Sequence, residues 1–262
     1  VVIMAAGKGT RMRSARPKPL HLLAGRAMLR YVLDSLADCS VERVVVVVGH
    51  GAERVTKKLQ AEEVDLHLSF VEQHTQDGTG DAASVGLTGL PDDDGPESEH
   101  HDVLVLPGDM PLLRPSTIAA LVDAHREADA ACTVLTARVA DPGSYGRVVR
   151  GKDGQVARIV ERADASPEEA AIDEINTAVY CFRRSVLAPA LRRISPANAQ
   201  GEDYFNVGIK ALGFVSQDIY AELDALYERI KDVKVGADYS DEKAGDKGGK
   251  PGKGSASDEK EF

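Results

Sequence analysis

The chain has 262 residues, enough for one large domain or one domain with an appendage, and enough to bury a sizeable core. Its formal net charge of −10 argues against nucleic acid as a bulk partner, so a phosphate site here has to be a local positive patch on an acidic protein. No apolar run is long enough to span a bilayer, no signal peptide precedes the first strand, and the three scattered cysteines, Cys39, Cys132 and Cys181, read as reduced thiols of a cytoplasmic protein rather than a disulfide framework or a zinc knuckle.

Residues 1–4 form an apolar run that reads as a buried strand. Ala5, Ala6 and then Gly7-Lys8-Gly9 follow; small residues and glycines let a ligand lie against the backbone, with free N–H groups aimed at phosphates. Lys8, Arg11, Arg16 and Lys18 gather positive charge around this loop, which suits a polyanion such as a nucleoside triphosphate. A P-loop is excluded because Lys8 precedes Gly9, and a dinucleotide fingerprint because Met12 stands where the third glycine belongs. Pro17 and Pro19 flank Lys18 and are expected to hold it extended, aiming its charge.

Strands and helices then alternate. Residues 28–36 have helical spacing, 43–48 are a continuous β-branched run, 52–60 read as helix and 66–71 as strand. Such alternation implies right-handed βαβ units and a mostly parallel sheet flanked by helices, an α/β Rossmann-like fold that binds ligands beyond the carboxyl ends of its strands. His50, between Gly49 and Gly51, reads as a turn residue rather than a ligand.

The segment from Gln73 to Gly80 reads Gln-His-Thr-Gln-Asp-Gly-Thr-Gly. It is either a glycine-rich turn starting a helix from Asp81 or a base-reading segment, since an amide side chain pairs with both a carbonyl and an N–H of a base. Residues 91–101 are an acidic, proline-flanked loop, and 103–106 a buried strand running into Pro107-Gly108-Asp109. Asp109 either caps the turn into the next helix or holds Mg²⁺, which takes one or two carboxylates plus phosphate oxygens.

Residues 116–128 read as a helix with Ser116 as N-cap, and 131–138 as a strand. Residues 148–149 and 156–160, joined across Lys152-Asp153-Gly154, read as an inserted β-hairpin that ends at Glu161. Glu174-Ile175-Asn176-Thr177-Ala178 leads into a strand over 179–182, and 185–194 into a helix. In 217–232, Ile219, Leu223, Leu226, Tyr227 and Ile230 share one helical face, which either packs on its own domain or makes a homo-oligomer contact. The expected organisation is a main domain over 1–202, a helical segment over 203–235 and a tail over 236–262 whose composition cannot support a core.

Ala-Ala-Gly-Lys-Gly-Thr-Arg-Met followed by Pro-Lys-Pro-Leu-His resembles the signature of the sugar-1-phosphate nucleotidylyltransferases. It is most similar to the N-terminal uridylyltransferase domains of the bifunctional enzymes that make UDP-N-acetylglucosamine, a peptidoglycan precursor. Later motifs recur in the family's order, and the likeness runs over about 1–202, without the hexapeptide-repeat acetyltransferase domain. The resemblance implies Mg²⁺-dependent transfer of UMP from UTP to N-acetylglucosamine-1-phosphate, with pyrophosphate as the second product. It implies that Ala5, Ala6 and Gly7 lie against the nucleotide, that Arg11 holds the leaving phosphates and that Lys18 bridges the α-phosphate and the sugar phosphate. It matches Gln73, Gly78 and Thr79 to uracil-contacting positions, Asp109 to a metal ligand, Gly146, Glu161 and Asn176 to positions that bind the amino sugar and ribose, the segment 198–202 to a family-like stretch, and Tyr204 to a tyrosine that follows it. The family completes its metal site with a later asparagine, and no asparagine follows Asn206 here. Asp109 is then the one protein ligand identified, with Asp218 and Asp238 as candidates for a second, and weak metal binding is expected. The rivals are transfer of another nucleotide or sugar, and a non-catalytic nucleotide-sugar binder.

Overall fold

Five consecutive valines, all buried, make the central strand β4 (Val44–Val48), a run that only a strand covered on both faces accommodates. Around it the computed structural model, which describes residues 1–75, 77–91, 101–192 and 215–218, builds one mixed sheet. Its other strands are β1 (Val2–Met4), β5 (Leu68–Glu72), β6 (Asp102–Pro107), β7 (Cys132–Arg138), β8 (Arg147–Arg150), β9 (Val156–Val160), β10 (Glu174–Arg183) and β11 (Val215–Asp218). Their order is β11-β7-β10-β6-β1-β4-β5, with the β8–β9 hairpin attached to β10. Every pairing along this path is parallel except the two made by β10, which runs antiparallel to β6 and β7. A two-residue ladder, β2 (Leu22–Leu23) with β3 (Arg26–Ala27), lies apart.

Alternation along the strands divides the core into two layers. On one face Ile3, Leu104 and Leu106 pack with Leu29, Leu33 and Leu36 of α1 (Met28–Ala37), Val55 and Leu59 of α2 (Ala52–Gln60), and Ile118 and Leu121 of α4 (Pro115–Glu127). On the other, Val2, Val103 and Val105 meet Ala82 and Ala83 of α3 (Thr79–Leu87), Leu187 of α6 (Arg184–Leu191) and the hairpin's Val148 and Ile159. Each fully buried Leu or Ile contributes about 1.5–3 kcal/mol by removing apolar surface from water. Among the described residues no helix is long and apolar enough to cross a membrane.

The expected α/β architecture and the inserted hairpin are present. Several local expectations are corrected. Lys18 opens a 3-10 turn over Lys18–Leu20 rather than an extended stretch, because Leu20 and His21 donate backwards to the carbonyls of Pro17 and Lys18. Arg114, not Ser116, stands at the N-cap of α4, with Pro115 in the first turn, where a missing N–H costs nothing. Helix α3 begins at Thr79, two residues before Asp81. Gln217 and Asp218 end strand β11, which pairs with β7, instead of opening a helix. Helix α5 (Pro167–Ala170) lies between the hairpin and β10, in a stretch for which no element is expected from the sequence, although its capping box, Ser166 with Glu169, is a sequence signature. The acidic loop's 92–100, the segment 198–202, Tyr204, the apolar face from Ile219 onward and the tail over 236–262 lie outside the described residues.

Candidate active site

β1 and β6 run parallel, so their carboxyl ends emerge side by side, and a cleft of about 470 Å³ opens above them. Ala5 closes β1 by donating its N–H to Val47 O (2.9 Å) and turns its side chain into the core, so of the two alanines only Ala6 lines the cleft. Gly7, Lys8 and Gly9 form the cleft wall. Gly9 sits at φ 61°, and a Cβ there would lie 2.8 Å from Lys18 Cβ. Glycine is therefore required twice over: for its left-handed backbone and to let the stem of Lys18 cross the loop. This contact ties the opening motif to the Pro-Lys-Pro motif and directs Lys18 at the carboxylate of Asp109, with which it forms an ion pair. Asp109 is positioned by Gly108, whose N–H donates to Met4 O (2.9 Å).

Lys8 is exposed and has no charge partner among the described residues. Arg11 lies in the 3-10 turn Thr10–Met12 after Gly9; its side chain is outside the description. The donor chemistry at Asp109 fits a Mg²⁺ site of the one-carboxylate kind, completed by water and phosphate oxygens. Among the described residues no group of three or more His, Cys, Asp or Glu gathers into a richer cage. A cation arriving at Asp109 competes with Lys18 for that carboxylate.

Gln73 continues β5, its N–H donating to Val48 O (2.8 Å), and its side chain is 96 % covered while lining the cleft. Its Nε2 donates to Asp81 Oδ2 (2.6 Å) and to Gly78 O (3.3 Å). Gly78 is the N-cap of α3 and Thr79 its first residue, so both line the cleft at the helix entrance.

A second cluster forms where the hairpin meets β10. Gly146 O accepts from Asn176 N–H (2.9 Å), and a Cβ on Gly146 would stand 3.1 Å from Glu161 Oε1, so Gly146, Glu161 and Asn176 are brought together. Asn176 spends part of its amide internally: Nδ2 donates to Tyr180 Oη (2.7 Å) and Oδ1 accepts from Ala178 N–H (3.0 Å). One N–H and one lone pair of that amide remain for a ligand. Burial pushes the Tyr180 phenol far above its ordinary range, so it stays neutral. The Asn176–Ala178 contact accompanies a bulge in β10 that puts Ala178 at φ 61° and into the cleft wall, joining the two clusters.

Arg147, 2 % exposed, organises the loop ahead of Gly146. Its guanidinium donates to the carbonyls of Gly143 (3.0 Å), Pro142 (3.4 Å), Ala170 (3.4 Å) and Tyr145, and no carboxylate pairs with it among the described residues. The Tyr145 carbonyl faces Arg147, so the N–H of Gly146, on the other side of the same planar peptide, faces away. Gly146 is buried, and among the described residues its N–H has no hydrogen-bond acceptor. Nothing in the sequence distinguishes an arginine that binds backbone carbonyls, as Arg147 does, from one that binds a ligand.

The MobA-like NTP transferase domain family matches residues 1–205. Proteins called bifunctional protein GlmU are similar: that of Heliobacterium modesticaldum is 45% identical over 203 residues, covering 78% of this chain and 42% of that protein. That of Pelotomaculum thermopropionicum is 47% identical over 206 residues, covering 78% and 42%. The chain thus spans about two fifths of the length of these curated relatives. In fold it is similar to a UDP-glucose pyrophosphorylase complexed with UDP-glucose (TM-score 0.68, 15% identity, 87% of this chain and 98% of that one). It is likewise similar to HddC from Yersinia pseudotuberculosis (TM-score 0.60, 18% identity, 83% and 88%).

Proposed function

This chain belongs to the MobA-like NTP transferase domain family, and on that premise we propose that it transfers UMP from UTP to N-acetylglucosamine-1-phosphate, giving UDP-N-acetylglucosamine and pyrophosphate. Family membership makes it a nucleotidyltransferase; the nucleotide, the sugar and the residue roles are our reading. The observation that carries it is the Lys18–Asp109 ion pair in a cleft at the carboxyl ends of β1 and β6, beside a glycine loop and a buried amide. The relatives named bifunctional protein GlmU support the choice of product.

In the reaction an oxygen of the sugar phosphate attacks the α-phosphorus of UTP. The new P–O bond forms as the bond to the β-phosphate's bridging oxygen breaks, and pyrophosphate leaves. No covalent intermediate with the protein is needed, so catalysis is positioning and charge neutralisation. Lys18 bridges the α-phosphate and the sugar phosphate, and Arg11 holds the leaving phosphates. Gln73, Gly78 and Thr79 read the base. Gly146, Glu161 and Asn176 hold the amino sugar and ribose, with Tyr204 in the same role as its family counterpart. Asp109 would hold Mg²⁺, which when bound neutralises charge on the phosphate oxygens. The test is pyrophosphate release from a panel of NTPs and sugar-1-phosphates. Turnover with UTP and N-acetylglucosamine-1-phosphate is expected. Turnover with GTP or CTP but not UTP overturns the nucleotide, and binding of nucleotide sugar without turnover overturns the enzyme.

A further inference from the structure

Gln73 has one amide to present to the cleft, and which end it presents decides which bases it accepts. Both neighbours of its Nε2, the Asp81 carboxylate and the Gly78 carbonyl, are acceptors. The amide cannot be turned over, because that would set Oε1 against two acceptor oxygens and leave the two N–H donors unpaired in a buried site. Both Nε2 hydrogens are thus engaged, and Oε1 is the polar atom of this covered side chain without a partner among the described residues. The main-chain carbonyl of Gly78 is a fixed acceptor at 3.3 Å; the shorter contact, 2.6 Å, is to Asp81, whose side chain has no other hydrogen-bond or ion-pair partner among the described residues.

We propose that Asp81 is a positioning residue for base selection: by accepting from Gln73 it locks the amide with its carbonyl toward the base, so that the site takes a base whose ring nitrogen carries a hydrogen. Uracil and thymine present N3–H to such an acceptor. Cytosine presents a bare N3, and its lone pair would face the lone pairs of Oε1. A site built to hydrogen-bond one pattern rejects the other because buried polar groups are left unpaired. An aspartate in the first turn of α3 is also stabilised by the helix dipole, but that role treats all bases alike.

This inference rests on the reading that the nucleotide base lies at Gln73. The experiment compares UTP, dTTP, CTP and N3-methyl-UTP binding by calorimetry, and their kcat/KM, in the wild type, Asp81→Asn and Asp81→Glu. Wild type is expected to bind UTP and dTTP and to reject CTP and N3-methyl-UTP. In Asp81→Asn the neighbouring side chain both donates and accepts, the amide is free to turn, and the UTP-over-CTP ratio is expected to fall about tenfold or more. Asp81→Glu, which keeps an acceptor, retains most of the ratio. A wild type that favours UTP together with an unchanged ratio in Asp81→Asn overturns the role of Asp81 and leaves the functional reading intact. A wild type indifferent to UTP and CTP overturns both. Equal loss of affinity for all four nucleotides in Asp81→Asn assigns the residue to helix stability and overturns the proposal.

Discussion

The two halves of the cleft hold their polar groups in opposite ways. On the side of the opening loop, charges are exchangeable: Lys18 and Asp109 neutralise each other, Lys8 stands exposed, and Gln73 keeps an unspent oxygen. On the hairpin side, charges are wired into the scaffold. Arg147 is consumed by four carbonyls, and Arg150 grips Glu174 with two bonds (2.8 and 2.6 Å) that pin β8 to β10. The open half suits a ligand that brings its own charges, as a metal-bound triphosphate does. The wired half suits a neutral, hydroxyl-bearing group whose shape is to be recognised, since fixed donors discriminate without having to reorganise.

The largest effect that tests this contrast is loss of the exchangeable cation. Lys18→Ala should lower kcat by about 10³-fold, because the lost charge acts on phosphate oxygens in the transition state. Its melting temperature should stay near wild type, since a third-exposed ion pair adds little stability. Steady-state kinetics with a thermal melt checks both, and wild-type turnover would make Lys18 a surface charge. The same pair predicts a gain elsewhere. Lys18→Met should bind Mn²⁺ more tightly than wild type in the absence of nucleotide, by roughly fivefold for an interaction of about 1 kcal/mol. Electron paramagnetic resonance titration reads this, and the gain should vanish in the double variant with Asp109→Asn.

On the wired side the expected change is smaller and falls on a different constant. Arg147→Lys keeps the charge but cannot span four carbonyls, because an ammonium has three donors and no planar fork. The loop before Gly146 should loosen, and KM for the sugar phosphate should rise about tenfold while KM for UTP stays within twofold. A misplaced binding group costs this much or more. If both KM values rise together, the two halves are one unit and the contrast between them fails.

These halves also differ in how far they could be read from the chain. The opening motif, its cations and Asp109 are contiguous or sit at strand ends, so glycine spacing and strand periodicity locate them. Yet the packing of Lys18 against Gly9, which joins two motifs, accompanies a 3-10 turn where the two flanking prolines suggest an extended stretch. On the hairpin side Gly146, Glu161 and Asn176 come from three separate segments and meet only through the pairing of β8 with β9 and β10. Without a fold, each has an ordinary structural explanation. The roles of Asp81 and Arg147 depend on which partner a side chain finds, and side-chain partners across loops leave no periodic trace. Strand β11 is not legible for a related reason: its parallel pairing to β7 is a long-range contact, whereas the helical spacing that follows it in the sequence is local.

A buried polar group remote from both halves supplies the reference against which ligand-site effects are judged. His125 in α4 is 2 % exposed, with Nδ1 beside Thr133 Oγ1 of β7 (3.0 Å) and Nε2 3.4 Å from Asp102 Oδ1 of β6. Burial is the main cause that lowers its pKa below the ordinary 6.5; Asp102 opposes the shift, while Arg183 of β10 and Arg126 of its own helix add to it. The folded protein therefore keeps His125 neutral where the unfolded chain takes up a proton. Its contribution to stability is intact above pH 6.5 and is lost as pH falls from 6.5 through the lowered folded value, at no more than about 1.4 kcal/mol per pH unit. Melting temperatures between pH 7.5 and 5 should fall more steeply for wild type than for His125→Gln, which cannot titrate. The ligand-site variants Lys18→Ala and Arg147→Lys should run parallel to wild type over this range. If His125→Gln also runs parallel to wild type, the folded imidazole titrates as in the unfolded chain and Asp102 offsets the effect of burial; a wild type that falls less steeply than His125→Gln would mean that Asp102 outweighs burial and holds the imidazole protonated.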